Sequence, residues 1–258
     1  MKHGGGQLSD GVRLGWATGF DSGHTLDYVY ENRVRGRTPF GRAIDYFYLN
    51  SIGWRGIRVR RQHLGRALRE CIDRLHRNGQ PVRIVDVAAG VGRYVLENVR
   101  ERNGDVESVL LRDYKQSNID AASQLARQLD LTNVTVAQGD AFDRASLASI
   151  TPPPTIAIAS GIYELFCDNP RILRSLRGLA DAMDANGYLI YTNMPWHPQA
   201  EFIARVLTNR EGDPWIMRRR SQAEMDELVR VAGFEKIDQQ IDRWGIFSVS
   251  VARRSNAK

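Results

Sequence analysis

Cysteines are scarce in this chain and long apolar runs are absent, and each scarcity excludes a class of protein. The 258 residues include only two cysteines, Cys71 and Cys167, which lie far apart and match no metal-ligand spacing. The sequence therefore predicts neither a disulfide framework nor a cysteine-based metal site. No apolar run approaches the ~20 residues of a transmembrane helix. The polar N-terminus lacks the apolar core of a signal peptide, so we expect a cytoplasmic protein.

The charge balance is mildly basic and becomes notable only where arginines cluster. Thirty-six lysines and arginines against thirty aspartates and glutamates give a net charge of +6. Six arginines follow one another without an intervening acid: Arg55, Arg58, Arg60, Arg61, Arg66 and Arg69. Such a stripe indicates either a solvated helix face or a contact with nucleic acid, an anionic head group or an acidic substrate. The residues alone leave these interpretations open.

The first 78 residues are rich in aromatic side chains and arginines and are predicted to be mostly helical. A helix is expected at 61–78, because five apolar side chains recur there at helical spacing before a terminating glycine. These side chains are Leu64, Leu68, Cys71, Ile72 and Leu75. A second helix is expected near 43–52. We assign residues 1–78 to a cap or substrate-binding region.

From residue 79 onward, strand and helix patterns alternate, which is typical of a parallel sheet. Strands are predicted at 83–87, 108–112, 134–137, 155–159 and 188–192, and helices at 94–102, 118–129, 170–184 and 199–207. A further helix begins at Ser221, whose spacing to Glu224 is that of a capping box. Strands at 234–241 and 246–252 follow, and their short connection allows only an antiparallel pair. The fold class is therefore α/β with a terminal antiparallel strand pair.

The ends of the first two strands carry residues that suit a nucleoside ligand. Asp86 ends the first strand and precedes a turn of small residues that contains Ala88, Gly90 and Gly92. Small residues let a ligand approach the backbone, and the following helix presents free N–H groups there. Asp113 ends the second strand, about twenty residues beyond the turn, where an acid can accept ribose hydroxyls.

The next two strand ends extend the same pattern. Asp140 follows the third strand and is followed by Ala141 and Phe142, and its carboxylate together with a neighbouring backbone N–H can address the edge of an adenine. The fourth strand leads into Ser160, Gly161, Ile162, Tyr163 and Glu164. Open α/β sheets bind ligands at this carboxyl edge. Each acid has an alternative interpretation as a cap or turn residue, but their occurrence at successive strand ends indicates one site.

Together these motifs resemble those of class I S-adenosylmethionine-dependent methyltransferases over residues 83–252. The matches are the glycine motif at 86–92, the acid at Asp113, the segment 139–142 and the terminal strand pair. Ala88 departs from the family, which usually has its first glycine there. Segments 54–58, 160–164 and 218–234 also resemble a group of bacterial methyltransferases, some of which follow a hydrolase domain in one chain.

The resemblance implies a Rossmann-like seven-stranded sheet in residues 79–258, with S-adenosylmethionine as cofactor and S-adenosylhomocysteine as product. Asp86 is then expected to orient the cofactor amino group, and Asp113 to hold the ribose. The other implied cofactor contacts are Ala88, Gly90, Gly92, Tyr114, Asp140, Ala141, Phe142 and Ser160.

The same resemblance places the acceptor between the N-terminal region and the loops after the fourth and fifth strands. Tyr163 and Glu164 are expected beside the transferred methyl, and Glu164 or His197 is the candidate general base for a hydroxyl acceptor. The expected substrate contacts are Tyr28, Tyr30, Tyr46, Asn193, Trp196 and Trp215. Aromatic side chains can stack on a flat acceptor or attract the sulfonium. We predict no metal, since no ligand cluster is present in the sequence.

The leading interpretation is methyl transfer by in-line displacement to a small-molecule or lipid-like acceptor, which could be anionic. The arginine stripe favours RNA methylation as an alternative, but the chain lacks an Asn-Pro-Pro-Tyr-type motif and a separate basic domain. A nicotinamide-dependent oxidoreductase is disfavoured by the terminal strand pair and by Asp140. The acceptor, the methylated atom and the choice between monomer and homodimer are left open.

Overall fold

A computed structural model describes residues 5–102 and 104–255 and contains a seven-stranded sheet with helices packed on both faces. The strands are β1 (Arg83–Asp86), β2 (Ser108–Asp113), β3 (Val134–Gln138), β4 (Ile156–Ala159), β5 (Tyr188–Asn193), β6 (Phe234–Ile241) and β7 (Ser248–Arg254). The helices are α1 (Asp10–Thr18), α2 (Gly23–Glu31), α3 (Pro39–Leu49), α4 (Ile52–Arg77), α5 (Arg93–Glu101), α6 (Gln116–Gln128), α7 (Arg144–Ala148), α8 (Asn169–Ala182), α9 (Ala200–Val206) and α10 (Gln222–Val231).

The strand order is β3-β2-β1-β4-β5-β7-β6, which confirms the predicted fold class. Strands β1 to β5 pair in parallel, and β7 lies antiparallel between β5 and β6. The order reverses between β1 and β4, which are hydrogen-bonded neighbours. In open α/β sheets this switch point leaves a crevice at the carboxyl ends of the strands. The glycine turn and the segment after β4 both begin there.

Alternating strand residues build two cores, one on each face of the sheet. Ile84 packs with α4, α5 and α6, whereas its neighbour Val85 packs with α7, α8 and α10. The same alternation holds for Ile158 and Ala157 on β4. Because both faces are covered, the central strands are almost continuously apolar, as parallel strands usually are.

The N-terminal helices form a third cluster with segments that follow the sheet's carboxyl ends. Phe20, Leu49 and Trp54 pack there against Met194, which directly follows β5, and against Phe247, which precedes β7. Helix α4 begins at Ile52 rather than at residue 61, and runs from this cluster into the sheet core. The division of the chain into two regions at residue 78 stays a prediction. The outer ends of these regions, residues 1–4 and 256–258, lie outside the described residues. No helix within 5–102 and 104–255 is long and apolar enough to cross a membrane.

Helices α1 and α2 were not predicted from the sequence, and packing explains why they form. Gly11 and Gly15 lower the helix propensity of α1. Both glycines are buried, and a Cβ on Gly15 would lie 2.3 Å from the Phe20 ring. Ser9 and Ser22 cap the two helices by accepting hydrogen bonds from the amides of Val12 and Thr25. Close packing and capping therefore outweigh the unfavourable local propensity.

Candidate active site

The glycine turn after β1 adopts a conformation that only glycine takes without strain at two positions. Gly90 and Gly92 have φ angles of +58° and +70°. A Cβ on Gly92 would also lie 2.5 Å from Leu111 Cδ1. The turn is fixed because the amide of Ala89 donates to Arg112 O at 3.0 Å and that of Gly90 to Asp113 Oδ2 at 2.9 Å. Ala88, Gly90, Gly92 and Ser160 line a small cavity at this turn, here called the glycine-turn cavity.

Asp113 joins this turn to the start of α6. Its Oδ1 accepts hydrogen bonds from the Lys115 amide at 2.9 Å and from Asn118 Nδ2 at 3.0 Å. Its Oδ2 accepts one bond, from Gly90. A carboxylate oxygen has two lone pairs, so Oδ2 can accept one further donor. Asp113 and Asn118 both line the glycine-turn cavity, where one hydroxyl group of a ligand can complete this set.

Asp86 lies beneath the cavity rather than on its surface. Its carboxylate is fully buried and accepts hydrogen bonds from the Tyr94 hydroxyl and, at 3.3 Å, from the Ala88 amide. Burial raises the pKa of Asp86 to about 7, although these hydrogen bonds favour its ionised form. Tyr94 lines the cavity in its place. Any influence of Asp86 on a ligand is therefore expected to pass through Tyr94.

A groove of about 450 Å³, here called the adenine-side groove, continues from the glycine-turn cavity along the ends of β2 and β3. Four of the predicted cofactor contacts line it: Tyr114, Asp140, Ala141 and Phe142. Asp140 Oδ1 accepts a hydrogen bond from the Phe142 amide at 2.9 Å, which fixes the loop. The Arg171 guanidinium lies 4.3 Å from the Phe142 ring centroid. The groove thus combines a carboxylate with aromatic surface.

A second large cavity, here called the acceptor cavity, has a volume of about 430 Å³ and a mostly apolar lining. Aromatic side chains dominate it: Trp16, Phe20, Phe47, Tyr48, Trp54, Phe202, Trp215 and Phe247. Asp21 and Leu165 line the acceptor cavity, the glycine-turn cavity and the adenine-side groove. The three spaces therefore adjoin at these two residues.

A buried ion pair lies where the acceptor cavity meets the glycine-turn cavity. Arg60 Nη1 donates to Glu164 Oε1 at 3.2 Å, and the two side chains are 2% and 6% exposed. Among the described residues, neither Glu164 Oε2 nor Arg60 Nε has a hydrogen-bond partner. A buried charge is tolerated only when it is compensated, so each residue depends on the other. This second carboxylate oxygen is itself buried, although Glu164 lines the acceptor cavity.

Arg60 was not singled out by the sequence, although a signal was present. Arg60 belongs to the arginine stripe, but it lies three residues after Ile57 and four before Leu64. This spacing places it on the buried face of α4. Three other arginines of the stripe also donate hydrogen bonds within the protein, whereas Arg55 and Arg66 are exposed. Arg58 donates to Leu49 O at 2.8 Å, Arg61 to Tyr30 O at 2.9 Å, and Arg69 to Asn98.

A buried arginine, Arg220, fixes the backbone of the loop that carries Glu164. Arg220 donates to the carbonyl oxygens of Tyr163 and Phe166, both at 2.7 Å. Asn193 in turn donates to Arg220 O at 3.1 Å, so it supports this loop and does not face the acceptor cavity. Tyr163 packs in the sheet core with its hydroxyl 3.0 Å from Ser175 Oγ. The structure therefore brings Glu164, but neither Tyr163 nor Asn193, to the acceptor cavity.

His197 lines the acceptor cavity in a form that suits donation rather than proton abstraction. Its Nδ1 accepts a hydrogen bond from the Gln199 amide at 3.1 Å. Burial lowers its pKa to about 4, so the ring is neutral near pH 7 and carries its hydrogen on Nε2. Neither nitrogen then has a lone pair free for a substrate proton. This geometry favours Glu164 over His197 as the base.

The remaining predicted substrate residues are dispersed. Trp215 lines both the acceptor cavity and the adenine-side groove, and stacks on Trp54 with ring centroids 6.0 Å apart. The Tyr28 hydroxyl donates to Asp45 at 2.7 Å, away from the cavity, and Tyr46 and Trp196 are exposed on the surface. Tyr30 lines the glycine-turn cavity. Within residues 5–102 and 104–255, no group of three histidine, cysteine or acidic side chains is arranged to hold a metal ion.

Sequence comparison gives one family and one curated relative. A family model described as "Putative methyltransferase" matches residues 1–254. The Escherichia coli (strain K12) protein YnbC, described as uncharacterized, is 52% identical over 254 residues. These residues are 97% of this chain and 43% of YnbC, so the chain spans less than half the length of this relative.

Solved structures share the fold at low sequence identity. A Bordetella parapertussis protein described as a possible exported protein aligns with a TM-score of 0.70 and 17% identity, over 91% of this chain and 80% of its own. Magnesium protoporphyrin IX methyltransferase from Synechocystis PCC 6803, solved with bound SAH, aligns with a TM-score of 0.61 and 14% identity. That alignment covers 93% of this chain and 98% of the enzyme. At these identities the likeness shows the fold alone.

Proposed function

The chain belongs to the methyltransferase family whose model it matches, and on this premise we propose that it transfers a methyl group from S-adenosylmethionine to a small, largely apolar or lipid-like acceptor. One observation carries the proposal. The glycine-turn cavity and the adenine-side groove meet a separate apolar cavity at Asp21 and Leu165, and Glu164 lines that apolar cavity. A donor and an acceptor can therefore occupy neighbouring spaces that meet at one point.

The residues around the glycine turn fit S-adenosylmethionine. The free lone pair on Asp113 Oδ2 suits a ribose hydroxyl, and Asp140 with Phe142 suits the adenine edge and face. The other charged side chains of the glycine-turn cavity are paired, since Arg93 holds Asp27 and Arg210 holds Asp21. When bound, the cofactor supplies a methyl group on a sulfonium, whose leaving group is a neutral thioether.

The lining of the acceptor cavity selects for an apolar acceptor with few polar groups. Burying apolar surface against the aromatic walls stabilises such a ligand by roughly 25 cal/mol per Å². A highly polar acceptor would lose its water without finding enough partners. Among the described residues, the indole nitrogens of Trp16 and Trp215 are buried without an acceptor. Because both nitrogens are buried, the proposed selectivity rests on the apolar and aromatic surface of the lining.

Glu164 is the proposed proton acceptor for the attacking group. Its Oε1 is held by Arg60, and its Oε2 is buried without a hydrogen-bond partner among the described residues. In this proposal Oε2 becomes accessible when the acceptor binds, and it takes the proton that the nucleophile releases as its lone pair bonds the methyl carbon. Arg220 fixes the backbone on both sides of Glu164, which limits the positions that the carboxylate can adopt. Alignment of this kind and exclusion of water are the main contributions a protein makes to such a displacement.

The experiment that tests this proposal is the Glu164→Gln variant. Glutamine preserves the volume and an oxygen for Arg60 but cannot take up a proton, so we expect turnover to fall by roughly 10²–10⁴-fold. Affinity for S-adenosylhomocysteine is expected to stay within about twofold, because Glu164 lines the acceptor side. Transfer is followed as tritiated methyl that enters the organic-extractable fraction of a bacterial metabolite extract.

Glu227→Gln is the matched control, because Glu227 is an exposed glutamate whose ion-pair partner among the described residues is Arg230. This control is expected to turn over like the wild type. Full turnover by Glu164→Gln would remove Glu164 as the base. Label that enters RNA instead of the organic phase would contradict the proposed acceptor class and favour nucleic-acid methylation.

A further inference from the structure

Helix α3 presents an unusual number of aromatic side chains to solvent. Phe40, Tyr46 and Phe47 are 64%, 53% and 72% exposed, and the Tyr46 and Phe47 rings contact each other edge to face at 5.7 Å. Val34, in the loop before the helix, is exposed as well. Single exposed apolar residues are ordinary, but a group of them on one surface marks an interaction site.

The opposite face of α3 explains why these aromatic side chains remain outside. Asp45 is fully buried and accepts four hydrogen bonds, from the Ser9 hydroxyl, the Gly11 amide, the Tyr28 hydroxyl and the Arg35 amide, at 2.6 to 2.9 Å. A rotation of the helix that buried the aromatic side chains would break all four bonds. The Asp45 carboxylate would then be exposed to solvent or left buried without hydrogen-bond partners. The aromatic face is therefore held outward by the fold.

Within the segment that forms this face, the exposed charges are all of one sign. In the segment 32–50, which the structure describes throughout, the exposed charged side chains are Arg33, Arg37 and Arg42, and the single acid is the buried Asp45. Exposed aromatic side chains combined with arginines are typical of surfaces that insert shallowly into the interface of an anionic bilayer. On such a surface, aromatic rings reach the acyl boundary and guanidinium groups contact the lipid phosphates.

The same surface reaches the opening of the acceptor cavity. Phe47 of α3 and Phe202 of α9 both line that cavity and are both exposed, at 72% and 49%. We propose that α3 and the loop before it dock the protein onto an anionic phospholipid bilayer, so that the acceptor cavity opens at the membrane surface. An apolar acceptor dissolved in the bilayer then enters the cavity without crossing water. Docking itself does not depend on the proposed methyl transfer.

Vesicle co-sedimentation of the full chain tests this proposal. We expect binding to vesicles of phosphatidylcholine and phosphatidylglycerol, little binding to pure phosphatidylcholine, and weaker binding as salt rises from 0.1 to 0.5 M. The double variant Phe40→Ser/Tyr46→Ser is expected to lower the partition coefficient about tenfold or more, because two aromatic side chains no longer insert into the bilayer. Neither of these side chains lines any of the three cavities. Arg37→Gln/Arg42→Gln is expected to remove the preference for the anionic lipid.

Ile237→Ser/Ile241→Ser is the matched control, since both isoleucines are exposed on β6, far along the chain from α3. Thermal unfolding of each variant reports that it is folded. Equal binding to both lipid mixtures, wild-type binding by Phe40→Ser/Tyr46→Ser, or an equal loss in the control would overturn the proposal. Binding of RNA instead of vesicles would also overturn the proposal. So would variants that change only the self-association of the protein and not its binding to vesicles. Vesicle binding is measured without cofactor, so its failure leaves the proposed activity standing.

Discussion

Asp86 and Tyr94 form a buried hydrogen-bonded pair under the glycine turn. Ionising Asp86 at this buried position costs free energy. Burial raises the pKa of Asp86 from its ordinary value to about 7. In the folded state the group therefore holds its proton at pH values where the unfolded chain has lost it. Its contribution to stability is present below its ordinary pKa near 4 and is lost as pH rises through about 7.

We predict that Asp86→Asn gains stability relative to the wild type as pH rises. Asparagine keeps an oxygen for the Tyr94 hydroxyl but carries no charge, so the difference in free energy of unfolding is expected to shift in its favour by about 3 kcal/mol between pH 5 and pH 8. Urea unfolding at a series of pH values measures this shift. The exposed Asp120→Asn variant is the control and should show no comparable trend. A difference for Asp86→Asn that does not change with pH would disprove the assignment.

At the scale of elements, the first residue of α2 is packed directly on the glycine turn. A Cβ on Gly23 would lie 2.9 Å from Gly90 Cα and 2.7 Å from Asn118 Oδ1. Asp27, one turn further along α2, accepts two hydrogen bonds from Arg93 of α5, at 2.5 and 2.9 Å. In the proposed assignment, the N-terminal helices are therefore part of the cofactor site and not only a cover for the acceptor.

Gly23→Ala is predicted to weaken the binding of S-adenosylhomocysteine about tenfold or more. The added methyl must displace Gly90 or Asn118, and overpacking of this kind costs roughly 1–3 kcal/mol. Calorimetric titration measures the affinity, and thermal unfolding checks that the variant is folded. Gly104→Ala is the control, because a Cβ at Gly104 meets nothing within 4 Å. Equal affinities for the two variants would show that α2 does not shape the cofactor site.

At the scale of the whole molecule, the sheet was predictable because its signals are local. Each signal lies within a few residues of sequence. The signals are the apolar runs of β1 and β4, the acids at the ends of the first three strands, and the short connection between β6 and β7. The acceptor cavity has no such signal, because it is assembled from distant segments. Arg60 meets Glu164 across 104 positions, and Trp54 stacks on Trp215. Composition indicated an aromatic N-terminal region but not which side chains face the cavity.

The central claim, that the glycine turn and Asp113 bind S-adenosylmethionine, is tested most directly by calorimetric titration of the wild type and Asp113→Asn with S-adenosylhomocysteine. The wild type is predicted to bind one molecule per chain and to show no binding of NADH. Asp113→Asn is predicted to bind about 10-fold to 100-fold more weakly, because it loses a charge-assisted hydrogen bond of about 1.5–3 kcal/mol. The exposed Asp120→Asn variant should match the wild type. Absence of S-adenosylhomocysteine binding, binding of NADH instead, or an unchanged affinity in Asp113→Asn would contradict the claim.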